Sequence, residues 1–278
     1  MSEVPQPSES GATDPSPIKP AGEPVHQTRF KVFRGDADGG EMTDYTVPAG
    51  PGMVVLDAMH WIQANIAGDL AVRWNCKAAK CGSCSAEING VPRLMCKTRI
   101  DALGENDIWV QPMKTFPLIK DLVTDVQWNY EVNKQIPAFT PPADLPSPWR
   151  IPQEDVDRLY EFRKCIECFL CQDVCHVLRD KNDMSRYYGP RFMVREAYLD
   201  MHPMDTLDRR ADIKGPAGVG LCNITKCCTE VCPEHIHITD NAIIPLKERV
   251  VDEYFDPILW AGRKLTGGRG RRKQPKQD

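Results

Sequence analysis

Cys165-Ile-Glu-Cys168-Phe-Leu-Cys171-Gln-Asp-Val-Cys175, read with the later Cys222-Asn-Ile-Thr225-Lys-Cys227-Cys228-Thr-Glu-Val-Cys232-Pro233, decides how this chain is organised. Three cysteines at two-residue gaps, then a fourth three residues on, form the run that binds cubane iron–sulfur clusters. The close gaps let one tight turn and the start of a helix present several thiolates to a small inorganic core. In paired runs the fourth cysteine serves the other cluster. Cys165, Cys168 and Cys171 are therefore expected to share a [4Fe-4S] cluster with Cys232. Cys175 is expected to join Cys222 and Cys228. The second run has Thr225 where a further cysteine would complete a cubane. A neutral hydroxyl is a far poorer iron ligand than a thiolate, so this second site is expected to hold [3Fe-4S]. Cys227 is left over and reads as a buried spare.

A different spacing lies upstream, at Cys76-Lys-Ala-Ala-Lys-Cys81-Gly-Ser-Cys84 with Cys96 later. C-x4-C-x2-C followed by a distant cysteine is the plant-type [2Fe-2S] pattern. Gly82, without a β-carbon, is expected to let backbone N–H groups approach the cluster sulfides. The flanking sequence supplies the scaffold. Arg29 to Arg34 alternates polar and apolar as a half-buried strand does, Gly35 to Gly40 reads as a turn, and Glu41 to Pro48 as the returning strand. Leu56, Met59, Ile62 and Ile66 recur at helical spacing. Asn89-Gly90 between short apolar runs is a hairpin turn that carries Cys96 back, and residues 107–112 read as a final strand. Strand, strand, helix and strands around this loop predict a β-grasp ferredoxin domain over residues 29–133. Phe116 to Val126 is expected to begin a helix.

Six prolines between Ile136 and Pro152 exclude regular structure there, so residues 134–152 read as a linker. From Gln153 the pattern turns helical, with short candidates at 189–201, 223–232 and 240–254. The fold class expected is therefore α+β: an N-terminal β-grasp [2Fe-2S] ferredoxin domain, then an all-α helical ferredoxin domain over 153–260. A Pro- and Ser-rich tail is expected at 1–28 and a basic, Gly-rich tail at 261–278.

Composition narrows the function. The chain has 278 residues with 41% hydrophobic, enough for two cores, and a net charge of −4, which argues against nucleic-acid binding. No apolar run approaches the roughly 18 residues of a membrane span. The N-terminus carries neither a secretory nor a transit signal, so the chain is expected to stay where it is made. Twelve cysteines without an export signal point to metal or redox chemistry rather than disulfides. No nucleophile motif, phosphate loop or flavin fingerprint is present, and the glycines of Gly215-Pro-Ala-Gly-Val-Gly220 stand in the wrong order for a dinucleotide loop. The chain is built to move electrons and carries no catalytic residues or substrate site of its own. A zinc-stabilised interaction module is the competing reading from another class.

With one [2Fe-2S] domain followed by paired helical-domain runs, the chain resembles the iron–sulfur subunit of succinate dehydrogenase and fumarate reductase. The likeness rests on Arg73-Trp-Asn-Cys76, Cys81-Gly-Ser-Cys84, Leu94-Met-Cys96-Lys-Thr98, Phe116-Pro-Leu-Ile-Lys-Asp-Leu-Val-Thr-Asp125 and both later runs. The resemblance implies a flavoprotein partner with FAD and membrane-anchor subunits, with haem in those anchors that carry it. It also implies electron flow through [2Fe-2S], [4Fe-4S] and [3Fe-4S] to quinone, from a peripheral position at the cytoplasmic face of the cell membrane. Many members of the family have proline after the cysteine equivalent to Cys175, then a tryptophan near the quinone; here His176-Val-Leu-Arg179-Asp180 follows. His176 and Thr225 are thus the quinone-side candidates. A fumarate reductase with a soluble thiol donor is the nearer alternative; such relatives carry extra cysteine-rich modules, and no cysteine follows Cys232 here.

Overall fold

The computed structural model describes residues 26–104, 107–145, 147–258 and 261–262. Residues 1–25 and 263–278, which hold most of the two expected tails, lie outside the described residues. Strand β1 (His26–Asp36) starts before Arg29, because Thr28 already faces inward ahead of Phe30 and Val32. It pairs antiparallel with β2 (Gly39–Ala49). Helix α1 (Val55–Asn65) buries Leu56, Met59 and Ile62. Ile66, expected on the same face, caps the helix and is exposed. Strands β3 (Ser85–Ile88) and β4 (Val91–Leu94) turn at Asn89 and Gly90, with φ of 50° and 76°. Positive φ at both central residues is what a tight primed hairpin turn requires. Strand β5 (Ile108–Gln111) then returns parallel to β1, Phe30 opposite Ile108. Hairpin, helix and parallel strand give the expected ferredoxin sheet.

Phe116 to Val126 does not begin a helix. It forms β6 (Leu118–Lys120) and β7 (Val123–Thr124) around Asp121 at φ 49°. The buried Asp121 carboxylate accepts the N–H of Gly35 at 3.0 Å and of Ala71 at 2.8 Å, and pairs with Arg34 at 3.1 Å. These distant donors outweigh the local helical preference.

The second half is helical. Helix α2 (Gln127–Gln135) is followed by a stretch, 136–152, whose described residues carry neither helix nor strand. Then come α3 (Gln153–Arg163), α4 (Leu170–Asp173), α5 (His176–Arg179), α6 (Pro190–Asp200), α7 (Arg210–Lys214) and α8 (Cys227–Glu230). A π-helical turn (Ile238–Ile243) leads into α9 (Ile244–Tyr254). The candidate at 223–232 shrinks to the single turn of α8, because Ile224 and Lys226 adopt left-handed φ of 61° and 64°. No helix among the described residues is long and apolar enough to cross a membrane.

The proline-rich stretch is tied down by a buried cation, and by Thr206, whose N–H and hydroxyl donate to the Thr140 carbonyl at 2.9 and 2.8 Å. Arg209, fully buried, donates to Asp205 at 2.9 and 2.7 Å and to the carbonyls of Pro137 and Ala138 at 2.8 and 3.0 Å. Glu196 lies 3.8 Å away, with burial pushing its carboxyl up to about 7. Breaking a buried pair by removing one partner typically costs about 3–5 kcal/mol. Arg209→Ala is therefore expected to lower the thermal unfolding midpoint by several degrees, with Arg209→Lys recovering only part, since lysine lacks the planar fork. Differential scanning calorimetry of the two variants checks this.

Candidate metal centres

Three of the first set's thiols, Cys76, Cys81 and Cys84, sit on the irregular loop 71–84 between α1 and β3, and Cys96 follows β4. Left-handed φ of 54° at Lys77 and Ala79 turns successive amides inward. Ala78 and Lys80 N–H groups point at the Cys76 sulfur at 3.4 and 3.3 Å, and Ala79 N–H at the Cys96 sulfur at 3.3 Å. Cys76 N–H points at Cys81 Sγ at 3.5 Å and Cys96 N–H at Cys84 Sγ at 3.4 Å. Cys76, Cys81, Cys84 and Cys96 are thus brought together under a shared set of donors, the arrangement that stabilises sulfur carrying negative charge. Burial raises the Cys81 thiol, but hydrogen bonds from Ser83 and from the Cys76 and Ser83 backbones outweigh it and bring the group down to about 6. Cys84 is pushed up to about 12, first by burial. Gly82 contributes none of these sulfur contacts; it lies against the Cys168 backbone.

Cys165, Cys168, Cys171 and Cys232 line one cavity, together with Arg191 and Ile236. Glu167 and Phe169 flank Cys168 at left-handed φ of 56° and 61°, which swings that sulfur inward between its neighbours. Ile236 N–H points at Cys232 Sγ at 3.4 Å. Burial pushes Cys168 up to about 12 and Cys171 well above its ordinary value, and the charges of the companion thiols add to both. Among the described residues, no three His, Cys, Asp or Glu side chains converge on one ion-sized point. The four thiols instead line a shared cavity, which suits a multi-iron core.

The third set is Cys175 at the N-cap of α5, Cys222 after the short 3-10 turn Val219–Leu221, and Cys228 in α8. Burial comes first in raising Cys175 to about 11 and Cys228 to about 12, and each also feels Cys222 and Cys227. Cys227 is half-buried rather than buried: its thiol donates to the Val174 carbonyl at 3.5 Å and lies 3.3 Å from the Thr225 hydroxyl. It belongs to the neighbourhood of this set. Thr225 itself is exposed. His176 is also exposed, its Nδ1 3.0 Å from Asp180.

Two features escaped the sequence reading. Tyr187 is fully buried beside Cys222, Cys175 and Cys228, and burial and those thiols hold its phenol protonated. A protonated hydroxyl there can donate toward sulfur, an interaction that tunes cluster potential. Nothing in Tyr187-Tyr188-Gly189-Pro190 marks this by spacing. The second is a buried carboxylate, Glu87 on β3, held by Lys114 at 3.1 Å and Arg179 at 3.0 Å. Beside it, Asp173 accepts the Thr115 N–H at 3.0 Å. Burial, then the nearby Glu87 charge, push Asp173 up to about 7 against the N–H bond from Thr115.

Residues 29–131 match the family of 2Fe-2S iron–sulfur cluster binding domains, and residues 161–236 the 4Fe-4S dicluster domains. The chain is 31% identical over 226 residues to the succinate dehydrogenase iron–sulfur subunit of Bacillus subtilis, covering 76% of this chain and 88% of that one. It is 31% identical over 228 residues to a subunit of the CoM/CoB fumarate reductase of Methanothermobacter marburgensis, covering 81% of this chain but 44% of that one. Among solved structures, a chain of the Mycobacterium smegmatis Sdh1 complex superposes with a TM-score of 0.82 at 60% identity, covering 84% of this chain and 99% of that chain.

The contrast between exposed and buried thiols is open to direct test. In iron-free protein at pH 7, iodoacetamide is expected to label Cys81 well before Cys84, Cys168 or Cys228, and the Cys81 rate to fall as pH drops below about 6. Peptide mapping by mass spectrometry reads the order. Equal labelling of all four would mean that the loop loses its shape without iron.

Proposed function

The chain belongs to the family of iron–sulfur subunits of succinate dehydrogenases and fumarate reductases, and we propose which of its thiolates hold which cluster. Cys76, Cys81, Cys84 and Cys96 hold [2Fe-2S]; Cys165, Cys168, Cys171 and Cys232 hold [4Fe-4S]; Cys175, Cys222 and Cys228 hold [3Fe-4S]. The observation that supports this reading is the gathering of the thiols into three neighbourhoods, the middle one lining a single cavity and the third adjoining it through Cys171 and Cys228 and holding Cys227 as well. The protein is the electron-transfer subunit of a succinate:quinone oxidoreductase, and its clusters, when bound, each take up and release single electrons.

The chain's own residues supply the surroundings. Cysteines from two segments of the chain hold each centre, and backbone N–H groups offset charge on sulfurs of the first two sets. Burial of Cys84, Cys168 and Cys171 excludes water, which limits the reorganisation that accompanies each change of charge. A thiol raised by burial ionises only against metal charge, so loading releases protons.

Dicarboxylate chemistry belongs to a flavoprotein partner, and a membrane-anchor partner completes the complex. The exposed Cys76 loop is the side turned to the flavin. Asn223, Ile224, Thr225 and Lys226, all exposed beside Cys222, form with His176 the face turned to the anchor and to quinone. In that orientation the chain sits peripherally at the cytoplasmic face of the membrane. The alternative with a soluble thiol donor is favoured by no observation on this chain, which spans under half of the CoM/CoB relative.

Two experiments test the reading. Oxidised, iron-replete protein is expected to give a [3Fe-4S] EPR signal. Thr225→Cys should abolish that signal by creating a four-iron site, and Cys227→Ser should leave it intact. Zinc without acid-labile sulfide would sink the electron-transfer reading altogether, and loss of the signal in Cys227→Ser would make Cys227 a ligand. For the quinone side, His176→Ala is expected to slow quinone reduction several-fold while dye-linked succinate oxidation stays at the wild-type rate.

A further inference from the structure

Gly82 lies between two ligands of the first thiol set, at φ +69°. A β-carbon placed there would stand 2.6 Å from the Cα of Cys168 and 2.9 Å from its backbone nitrogen. The backbones of the two cluster loops therefore touch with no side chain between them. Ser85 fastens the contact: its hydroxyl lies 2.9 Å from the Gly82 carbonyl and 2.8 Å from the Cys168 carbonyl, so its one proton is shared between the two loops. A second tie joins the same two thiol sets through other segments, where Lys97 Nζ, next to Cys96, donates to the Pro233 carbonyl, next to Cys232, at 2.6 Å. Cys168, Phe169 and Leu170 are buried in the core of the ferredoxin sheet rather than that of the helical half.

We infer that the Gly82–Cys168 backbone contact, fastened by Ser85, is the crossing point for electrons between the first and second thiol sets, and that Gly82 is its positioning residue. The inference rests on the cluster assignment proposed above. One electron leaves the centre on Cys76, Cys81, Cys84 and Cys96, which is oxidised by one unit, and enters the centre on Cys165, Cys168, Cys171 and Cys232, which is reduced by one unit. No bond forms or breaks and no proton moves. Tunnelling falls exponentially with distance, so close backbone contact between the two ligand loops shortens the crossing. Glycine is required because carbon atoms pack at roughly 3.5–4.0 Å, so an alanine would part the loops by about 1 Å. The left-handed φ adds a further cost for any L-residue with a side chain.

The test uses the full chain in its purified complex, with iron and acid-labile sulfide measured. In the fully reduced state both centres are paramagnetic, and the splitting from their magnetic interaction reports the distance between them independently of turnover. Gly82→Ala is expected to reduce that splitting and to slow reduction of the second centre, followed by rapid-freeze EPR, several-fold. Both midpoint potentials should stay unchanged. Ser85→Ala, which loosens the contact without adding bulk, is expected to do the same to a smaller degree. Wild-type splitting and rate in both variants at full iron content would overturn the inference. If Gly82→Ala fails to load iron, Ser85→Ala decides alone. A wild-type complex lacking either reduced signal would overturn the cluster assignment instead.

Discussion

Burial of the Cys168-Phe169-Leu170 segment in the core of the ferredoxin sheet is the interaction on which the rest of the structure depends. The segment comes from the helical half, yet its apolar atoms leave water against the other half. Phe169 packs edge-on against Phe116 at 6.4 Å and Tyr130 at 5.8 Å. Such aromatic pairs add to plain area burial. The two halves therefore share a core at the point where two cluster loops meet, and neither can shift without exposing it.

Charge reinforces the same junction. Glu87 on the sheet is fully buried and answered by Arg179 from the helical half. Asp173, between two cluster cysteines, is bonded to Thr115 of the sheet half. Buried ionic groups contribute little net stability but penalise any arrangement that leaves one unpaired. Their effect here is to select one docking geometry. Hydrophobic burial supplies the attraction, and the ion pairs exclude alternatives.

The helical half solves a different problem. Its segments are short because thiol presentation interrupts them: left-handed residues at Glu167, Phe169, Ile224 and Lys226 turn the chain between cysteines. Regular helix cannot face four sulfurs toward one point, so backbone regularity is given up around the grouped thiols. Order is recovered at a distance, through α6 and α9 in a common apolar core and through Arg209, which pins the proline-rich stretch. The cysteines proposed as cluster ligands lie at or near the ends of these short elements, where the backbone can still turn.

Cysteine spacing by itself determined the three ligand sets expected here, because ligands a few residues apart on one turn are a matter of local geometry. Period and turn chemistry likewise made α1 and the Asn89-Gly90 hairpin legible. The tertiary structure alone decided what depends on groups remote in the chain. Phe116 to Val126 is a hairpin because Asp121 meets Gly35, 86 residues away. Cys227 lies beside the third thiol set because α8 brings it to the Val174 carbonyl, 53 residues away. Tyr187 reaches Cys222 only once the helical half has folded, and Gly82 meets Cys168 only once the two halves have docked. Local sequence encodes the shape of each loop; which loop lies against which follows from burial of apolar surface and the need to partner buried charge across the whole chain.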